Sequence, residues 1–309
     1  DIPGLPYTKM IQQAKVLYVI GTNPMMAAPD VNNVQKSLQD KELLVVQDLY
    51  PTETAQFADV VLPAATWVER KGTHTYVDRR VQKINQVIQP PGEARPDWWV
   101  ICQLAERMGY KDHFDFSSSG EIFEEIRNCV PTYQGITYDR LENTVGGIQW
   151  PCPTEDHPGT ATFFTVKFNT PDGLGHLQVV DYQPAAEVPD QEYPYVLTTG
   201  RSIFHYHTGT MPRRTPKLEH EVPNNYCQIN PKDAANEKIE SGDWIGLETR
   251  RGRIEIRAQV TNEVPEGLIF VPFHFTESCA NILTNPVLDP SCGMPEYKAC
   301  AVKVEVLNE

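Results

Sequence analysis

Short apolar runs separated by polar turns open the chain. Leu43–Val46 is too short for an independent helix and is bounded by polar residues, which predicts a buried strand of a parallel sheet. It runs into Gln47 and Asp48, where an open α/β sheet places ligand-binding groups. Thr52 is then placed to cap a short helix, Glu53–Phe57, with acidic Glu53 in its first turn. A second buried strand, Asp59–Leu62, follows and stops at Pro63. Upstream, Val16–Ile20 reads as another buried strand and meets a Gly21-Thr22-Asn23-Pro24 turn, a place where backbone passes close to something else. Between them, Asp30–Lys41 puts Val31, Val34 and Leu38 on one helical face. Strand, helix, strand, helix, strand from Val16 to Leu62 predicts a parallel sheet with right-handed crossovers. A structural crossover with an ordinary polar loop fits the same pattern. No G-x-G-x-x-G is present.

The pattern changes at Thr66–Pro91, which is polar and carries Arg70-Lys71-Gly72 and Asp78-Arg79-Arg80; it predicts irregular structure and short strands. Pro96-Asp97 starts a helix with Val100, Leu104 and Met108 on one face, stopped by Gly109. A helix over Gly120–Cys129 is predicted to turn Ile122, Phe123 and Ile126 inward. Val130–Pro194 is rich in Pro and Gly with little periodicity and reads as an extended connection. From Tyr195 the chain is β-rich: Tyr195–Thr199, Tyr226–Ile229, Trp244–Thr249, Arg253–Val260, Leu268–Val271 and Ala301–Val306. Arg250-Arg251-Gly252 makes a tight hairpin turn, and Asn230-Pro231 with Asp233 opens a short helix. Six short strands with one or two helices predict a closed barrel.

Composition narrows the function. A net charge of −14 over 309 residues argues against a general nucleic-acid binder. Hydrophobic content of 40% and charged content of 22% are ordinary for a soluble globular protein, and no apolar run is long enough to span a bilayer. The N-terminus shows no signal peptide and does not begin with Met; it reads like the middle of a longer chain or a processed piece, expected in the cytoplasm, with the periplasm as the other compartment. The seven cysteines, Cys102, Cys129, Cys152, Cys227, Cys279, Cys292 and Cys300, are widely spaced. They form neither a disulfide framework nor a C-x-x-C pair of the kind iron–sulfur and zinc sites use.

The densest polar cluster is Thr199–Thr210, TGRSIFHYHTGT. Arg201 offers a bidentate fork for phosphate, and the surrounding hydroxyls and backbone N–H groups add donors. A surface loop is the bland reading. His205 and His207, two apart on a strand, would share a face, but no Asp, Glu or Cys nearby completes a metal site. Phe273-His274-Phe275, followed by Asn281 and Asn285, reads as a core aromatic cluster or a ligand-stacking platform. There is no Gly-x-Ser-x-Gly and no His-Glu-x-x-His.

Taken in order, these pieces resemble the C-terminal half of the large subunit of molybdopterin oxidoreductases, the dimethyl-sulfoxide-reductase family. The segments that carry the resemblance are GTNP (Gly21–Pro24), VVQDLYPTETAQFADVVLPAATWVERKGT (Val45–Thr73), DRRVQ (Asp78–Gln82), PPGEARPDW (Pro90–Trp98), LTTGRSIFHYHTGTMPRR (Leu197–Arg214), INPKDA (Ile229–Ala234), VPFHF (Val271–Phe275) and PEYKACAVKVE (Pro295–Glu305). GIQWPCP (Gly147–Pro153), DHPGT (Asp156–Thr160) and FNTPDGLGHL (Phe168–Leu177) make it most similar to formate dehydrogenases; nitrate reductases share TTGR…H-x-H-T-G-T and the PPGEARPDW stretch.

The resemblance implies an α/β domain from residues 1–65 and 96–112, a connecting portion from 66–95 and 113–191, and a six-stranded, double-psi-like barrel over 192–309. It implies a bis-molybdopterin guanine dinucleotide holding molybdenum or tungsten. Contacts with that cofactor would come from Asn23, Gln47, Asp48, Arg70, Asp97, Thr199, Gly200, Arg201, Ser202, His205, His207, Thr208, Phe273, Asn281 and Lys298. A carboxylate such as Asp48 or Asp97 accepts from the guanine N1–H and N2–H2 pair, and Arg201 suits pyrophosphate. The [4Fe–4S] cluster and the metal ligand belong to an N-terminal half that this sequence does not contain. That half, on the same subunit or a separate chain, and an iron–sulfur electron-transfer subunit are the expected partners. No residue here is assigned as catalytic base or metal ligand. The implied reaction is oxidation of formate to carbon dioxide; a nitrate reductase and a non-catalytic cofactor-binding subunit of a split enzyme are the alternatives.

Overall fold

A computed structural model describes residues 4–307. Asp1–Pro3, part of the N-terminus in which no signal peptide is read, and Asn308–Glu309 lie outside the described residues. The chain forms two compact units, residues 4–62 with 182–307, and residues 63–181.

The first unit begins with α1 (Tyr7–Gln13), β1 (Val16–Ile20), α2 (Pro24–Ala27), α3 (Val31–Gln39) and β2 (Leu43–Asp48), then β3 (Val60–Pro63). β1 and β2 are parallel, with Val16 opposite Leu43 and Ile20 opposite Gln47, in a sheet ordered β1-β2-β3. The expected strand positions hold, and α3 buries Val31, Val34 and Leu38 as its periodicity predicts. Two expectations need correction. The strands are not buried throughout. Leu17, Val19, Leu44 and Val46 pack with Ile11 of α1 and Val34 and Leu38 of α3, whereas Val16, Ile20, Leu43, Val60 and Val61 are exposed, because these helices cover one face. The short helix after β2 is a 3-10 turn over Thr54–Phe57 rather than an α-helix. Thr52 still does a cap's work, its Oγ1 accepting from the Ala55 N–H at 3.3 Å.

The second unit holds β4 (Gly72–Thr75), β5 (Arg80–Ile84), α4 (Asp97–Arg107), α5 (Ser119–Cys129), α6 (Tyr138–Asn143) and β6 (Ile148–Gln149), with an antiparallel sheet ordered β4-β5-β6. Helix α4 buries Cys102 and Ala105, not the predicted Leu104 and Met108, which are exposed. In α5 only Phe123 of the predicted trio is buried. The reason lies in the region read as an extended connection. It supplies Ile136, Leu141, Ile148 and Cys152, which close a small core around Val81 and Phe123.

The rest of the first unit contains β7 (Tyr195–Gly200), α7 (Pro216–Glu221), β8 (Tyr226–Ile229), α8 (Pro231–Glu237), β9 (Trp244–Thr249), β10 (Gly252–Val260), β11 (Leu268–Pro272) and β12 (Cys300–Val306). These six strands close into a barrel in the order β10-β8-β11-β7-β12-β9, as their number and spacing predict. Leu197, Ile229, Ile245, Leu247, Ile256 and Ile269 fill it. Asn230 caps α8, accepting from the Lys232 N–H at 3.0 Å, with Pro231 at the first helical position. Met26 and Val31 meet Cys279 and join the barrel to the parallel sheet.

Candidate functional site

Topology gathers the site at one end of the barrel. β7 and β11 run parallel with Gly200 opposite Pro272, so the segments that follow them leave side by side. β12 runs antiparallel to β7, with Cys300 opposite Leu197, so Tyr297 and Lys298 arrive at that same end. Across from them sits the turn after β1. The Asn281 side-chain amide donates to the Met26 carbonyl at 2.7 Å and the Tyr297 hydroxyl to the Ala27 carbonyl at 2.9 Å. Between these elements lies a cavity of about 540 Å³, lined by Tyr7, Thr22, Ala27, Thr199, Gly200, Arg201, His207, Phe273, Asn281, Tyr297 and Lys298.

Among the described residues no carboxylate lines this cavity, in a chain whose net charge is −14. Arg201 and Lys298 do. Lys298 Nζ donates to the Thr199 carbonyl at 2.5 Å. Burial, and then the neighbouring Arg201, hold the Lys298 amine below its ordinary pKa; the same two causes lower His207. Cations held this close repel one another, and an anion between them reverses the sign of the interaction. The Arg201 guanidinium stands 6.0 Å from the ring centres of Tyr206 and Phe273. Burial pushes the Tyr297 phenol up to about 12, and burial and Tyr297 together raise Tyr7, so both hydroxyls stay protonated; Tyr297 gives its proton to the Ala27 carbonyl and turns an acceptor to the cavity. Gly200 is needed at the rim: a Cβ there would fall 2.2 Å from the Phe270 ring.

Seven of the residues named from the sequence therefore share one cavity: Thr199, Gly200, Arg201, His207, Phe273, Asn281 and Lys298. Ser202, His205 and Thr208 belong to the same loop but do not line it. His205 is buried, Nε2 donating to the Val222 carbonyl at 2.8 Å while Nδ1 has no partner. The two histidines do not share a strand face, since β7 ends at Gly200 and His207 has a positive φ of 50°. Among the described residues no group of three or more His, Cys, Asp or Glu is placed to hold a metal ion.

Asn23 is buried and its amide is engaged on both sides. It donates to Glu53 Oε2 at 2.6 Å and accepts from Thr54 Oγ1 at 2.7 Å. Gln47 is buried and accepts from the Tyr18 hydroxyl, and Asp48 accepts from the Leu49 N–H at 2.7 Å. Arg70 and Asp97 belong to the second unit. There Arg70 lines an open cleft with Lys71, Arg95 and Trp98, and Asp97 stands in the first turn of α4. The sequence reading did not single out Tyr7, Thr22, Ala27 or Tyr297. Thr22 and Tyr297 lie inside segments that carry the family resemblance; Tyr7, on a helix the pattern did not predict, gave no signal.

Two family profiles match the chain: "Molybdopterin oxidoreductase" over residues 2–107 and "Molydopterin dinucleotide binding domain" over residues 195–301. The chain belongs to the molybdopterin oxidoreductase family. It is 49% identical over 306 residues to the F420-dependent formate dehydrogenase subunit alpha of Methanocaldococcus jannaschii, covering 98% of this chain and 45% of that protein. It is 38% identical to the assimilatory nitrate reductase catalytic subunit of Bacillus subtilis, over 94% of this chain and 42% of that one. Acetylene hydratase from Pelobacter acetylenicus shares the fold, with a TM-score of 0.78 at 21% identity, covering 97% of this chain and 46% of its own. The chain thus spans about half the length of the curated relatives it matches.

The cavity fits the family's cofactor at its phosphate portion. Arg201 and Lys298 supply charge, and Thr199, Asn281 and the two tyrosines supply neutral donors and acceptors. The ring of Phe273 offers a face for a planar heterocycle.

Proposed function

We propose that this chain is the C-terminal part of a molybdenum- or tungsten-dependent formate dehydrogenase and that its first unit grips a guanine dinucleotide arm of the cofactor. The observation that carries the reading is the doubly cationic cavity, with no carboxylate among its described lining residues, in a strongly acidic chain. Arg201 and Lys298 would hold the pyrophosphate, Asn281 and Tyr297 the polar edge of the pterin, and Phe273 would limit how the ring system lies. Gln47 and Asp48 are the proposed contacts for the remaining groups of that arm, and Asp97 and Arg70, in the second unit, are proposed cofactor contacts in their own right. When bound, the metal–pterin group supplies the two-electron centre for formate oxidation; this chain's residues bind and orient it.

The identity with formate dehydrogenase alpha subunits, three of them F420-dependent at 44–49%, supports formate as substrate and F420 dependence. The 38% identity with a nitrate reductase keeps one second reading in view. A dye assay on the assembled enzyme separates them: formate should reduce a viologen, and nitrate should not oxidise the reduced dye. Nitrate turnover without formate turnover would replace the substrate while leaving the cofactor-binding role intact.

A further inference from the structure

The cavity's cationic loop owes its shape to a side chain behind it. His274 follows β11 and is fully buried. Its Nε2 accepts the Ser202 N–H at 2.7 Å, so the ring proton must sit on Nδ1, which donates to the His207 carbonyl at 2.5 Å. One ring thus satisfies a backbone donor and a backbone acceptor five residues apart, on either side of the segment between Arg201 and His207. Its own carbonyl presses on Gly209, where an added Cβ would come within 2.8 Å. We propose that His274, in its neutral Nδ1–H form, is the positioning residue of the site: it ties down both ends of the Ser202–His207 segment and so aims Arg201 and His207 into the cavity. This rests on the reading of that cavity as a dinucleotide phosphate site.

The chemistry makes the device sensitive to protonation. A second proton on Nε2 would set donor against the Ser202 donor and release that end of the loop. The surroundings resist that proton. Burial first, and then the charges of His205, Arg201 and His207, outweigh the His207 carbonyl and keep the pKa below the ordinary value. Arg213, packed against Gly209, is clamped by Glu277 at 2.7 Å and by Glu219 at 3.0 Å, so its charge is met on the spot. His274 is therefore neutral at and above the ordinary histidine pKa, and the loop's grip weakens as pH falls through the depressed value.

The test uses the complete subunit to which this chain belongs, free of its cofactor, and 5′–5′ diguanosine pyrophosphate, whose phosphates have no group titrating near neutrality. Affinity is measured by calorimetry from pH 8 to pH 5 for the native chain, His274→Gln and His274→Leu, with circular dichroism confirming the fold at each point. Glutamine keeps one donor and one acceptor but cannot titrate. The native chain should match His274→Gln at and above neutrality and lose affinity relative to it, by up to about tenfold, as pH falls through the depressed His274 value, the scale of one lost polar contact. His274→Gln should share the native chain's His207 titration but not its loss of the Ser202 contact, and His274→Leu should be about tenfold weaker than native at neutral pH. His274→Leu binding equal to native at neutral pH, or a native affinity that rises relative to that of His274→Gln as pH falls, would overturn the positioning role and leave the cavity assignment standing. Failure of the folded native chain to bind the probe at any pH would instead overturn the cavity assignment, and the positioning role with it.

Discussion

Removing Arg201 tests the cavity through two readouts that must move together. Its guanidinium lines the cavity, and its charge depresses both Lys298 and His207. Two unit charges about 4 Å apart interact by roughly 4 kcal/mol at an effective dielectric of 20. Arg201 is exposed, so water screens much of that, and a charge-assisted hydrogen bond of about 2 kcal/mol is the better scale. Arg201→Ala should therefore weaken diguanosine pyrophosphate binding roughly 30-fold. Arg201→Lys, which keeps the charge and loses the fork, should fall between. The second readout follows from sign. Arg201 disfavours the protonated ring of His207, so its removal must let the His207 pKa rise toward the ordinary value. Proton NMR of the histidine ring signals in native and variant chains measures this directly. Weaker binding with an unmoved or lowered His207 titration would show that the variant had rearranged the loop. Unchanged binding would show that the phosphate lies elsewhere.

Other consequences are equally specific. Asn281→Ala should lower stability by about 2–4 kcal/mol in a urea titration, because it strips the buried Met26 carbonyl of its donor and Thr284 of an acceptor; a loss under about 1 kcal/mol would show that water replaces the amide. In the second unit, Gly147 has φ +87° and its Cβ would sit 2.3 Å from the Val81 carbonyl, so Gly147→Ala should cost roughly 2 kcal/mol or more and melt that unit early. In the assembled enzyme, Asp97→Asn should reduce guanine nucleotide content, assayed after acid release; unchanged content would remove Asp97 from the site. Acid should also destabilise the first unit. His274 and His207 have lowered pKa values, so their contribution is complete above the ordinary histidine value and is lost as pH falls through the folded one. A melting temperature that is constant from pH 7.5 to pH 5 would contradict this.

The fold was legible where periodicity was strong. Six short strands with one or two helices announced a barrel, and Val31, Val34 and Leu38 announced α3, whose pattern is set by burial on one face. Helix α4 was placed correctly and faced incorrectly. Its apolar residues lie on more than one side, and the choice between them is made by packing rather than by sequence. The core of the second unit was invisible because Ile136, Leu141, Ile148 and Cys152 come from a stretch with no repeat to read. At the cavity, charge and turn chemistry pointed to Arg201 and the Thr199–Thr208 loop. Tyr7 stayed hidden because it lies far from the loop in sequence and reaches the cavity only through tertiary packing. His274 was read as part of an aromatic core, and only the paired contacts to Ser202 and His207 reveal its polar role.

The central claim is that the cavity between β7, β11 and the turn after β1 holds the pyrophosphate of a guanine dinucleotide. The most direct measurement is an experimental density map of the assembled, cofactor-loaded enzyme at a resolution that places phosphorus atoms. A pyrophosphate within hydrogen-bonding distance of both Arg201 and Lys298 is the predicted result. A loaded enzyme whose dinucleotide phosphates lie outside this cavity, with Arg201 and Lys298 turned to solvent or to protein, would contradict it.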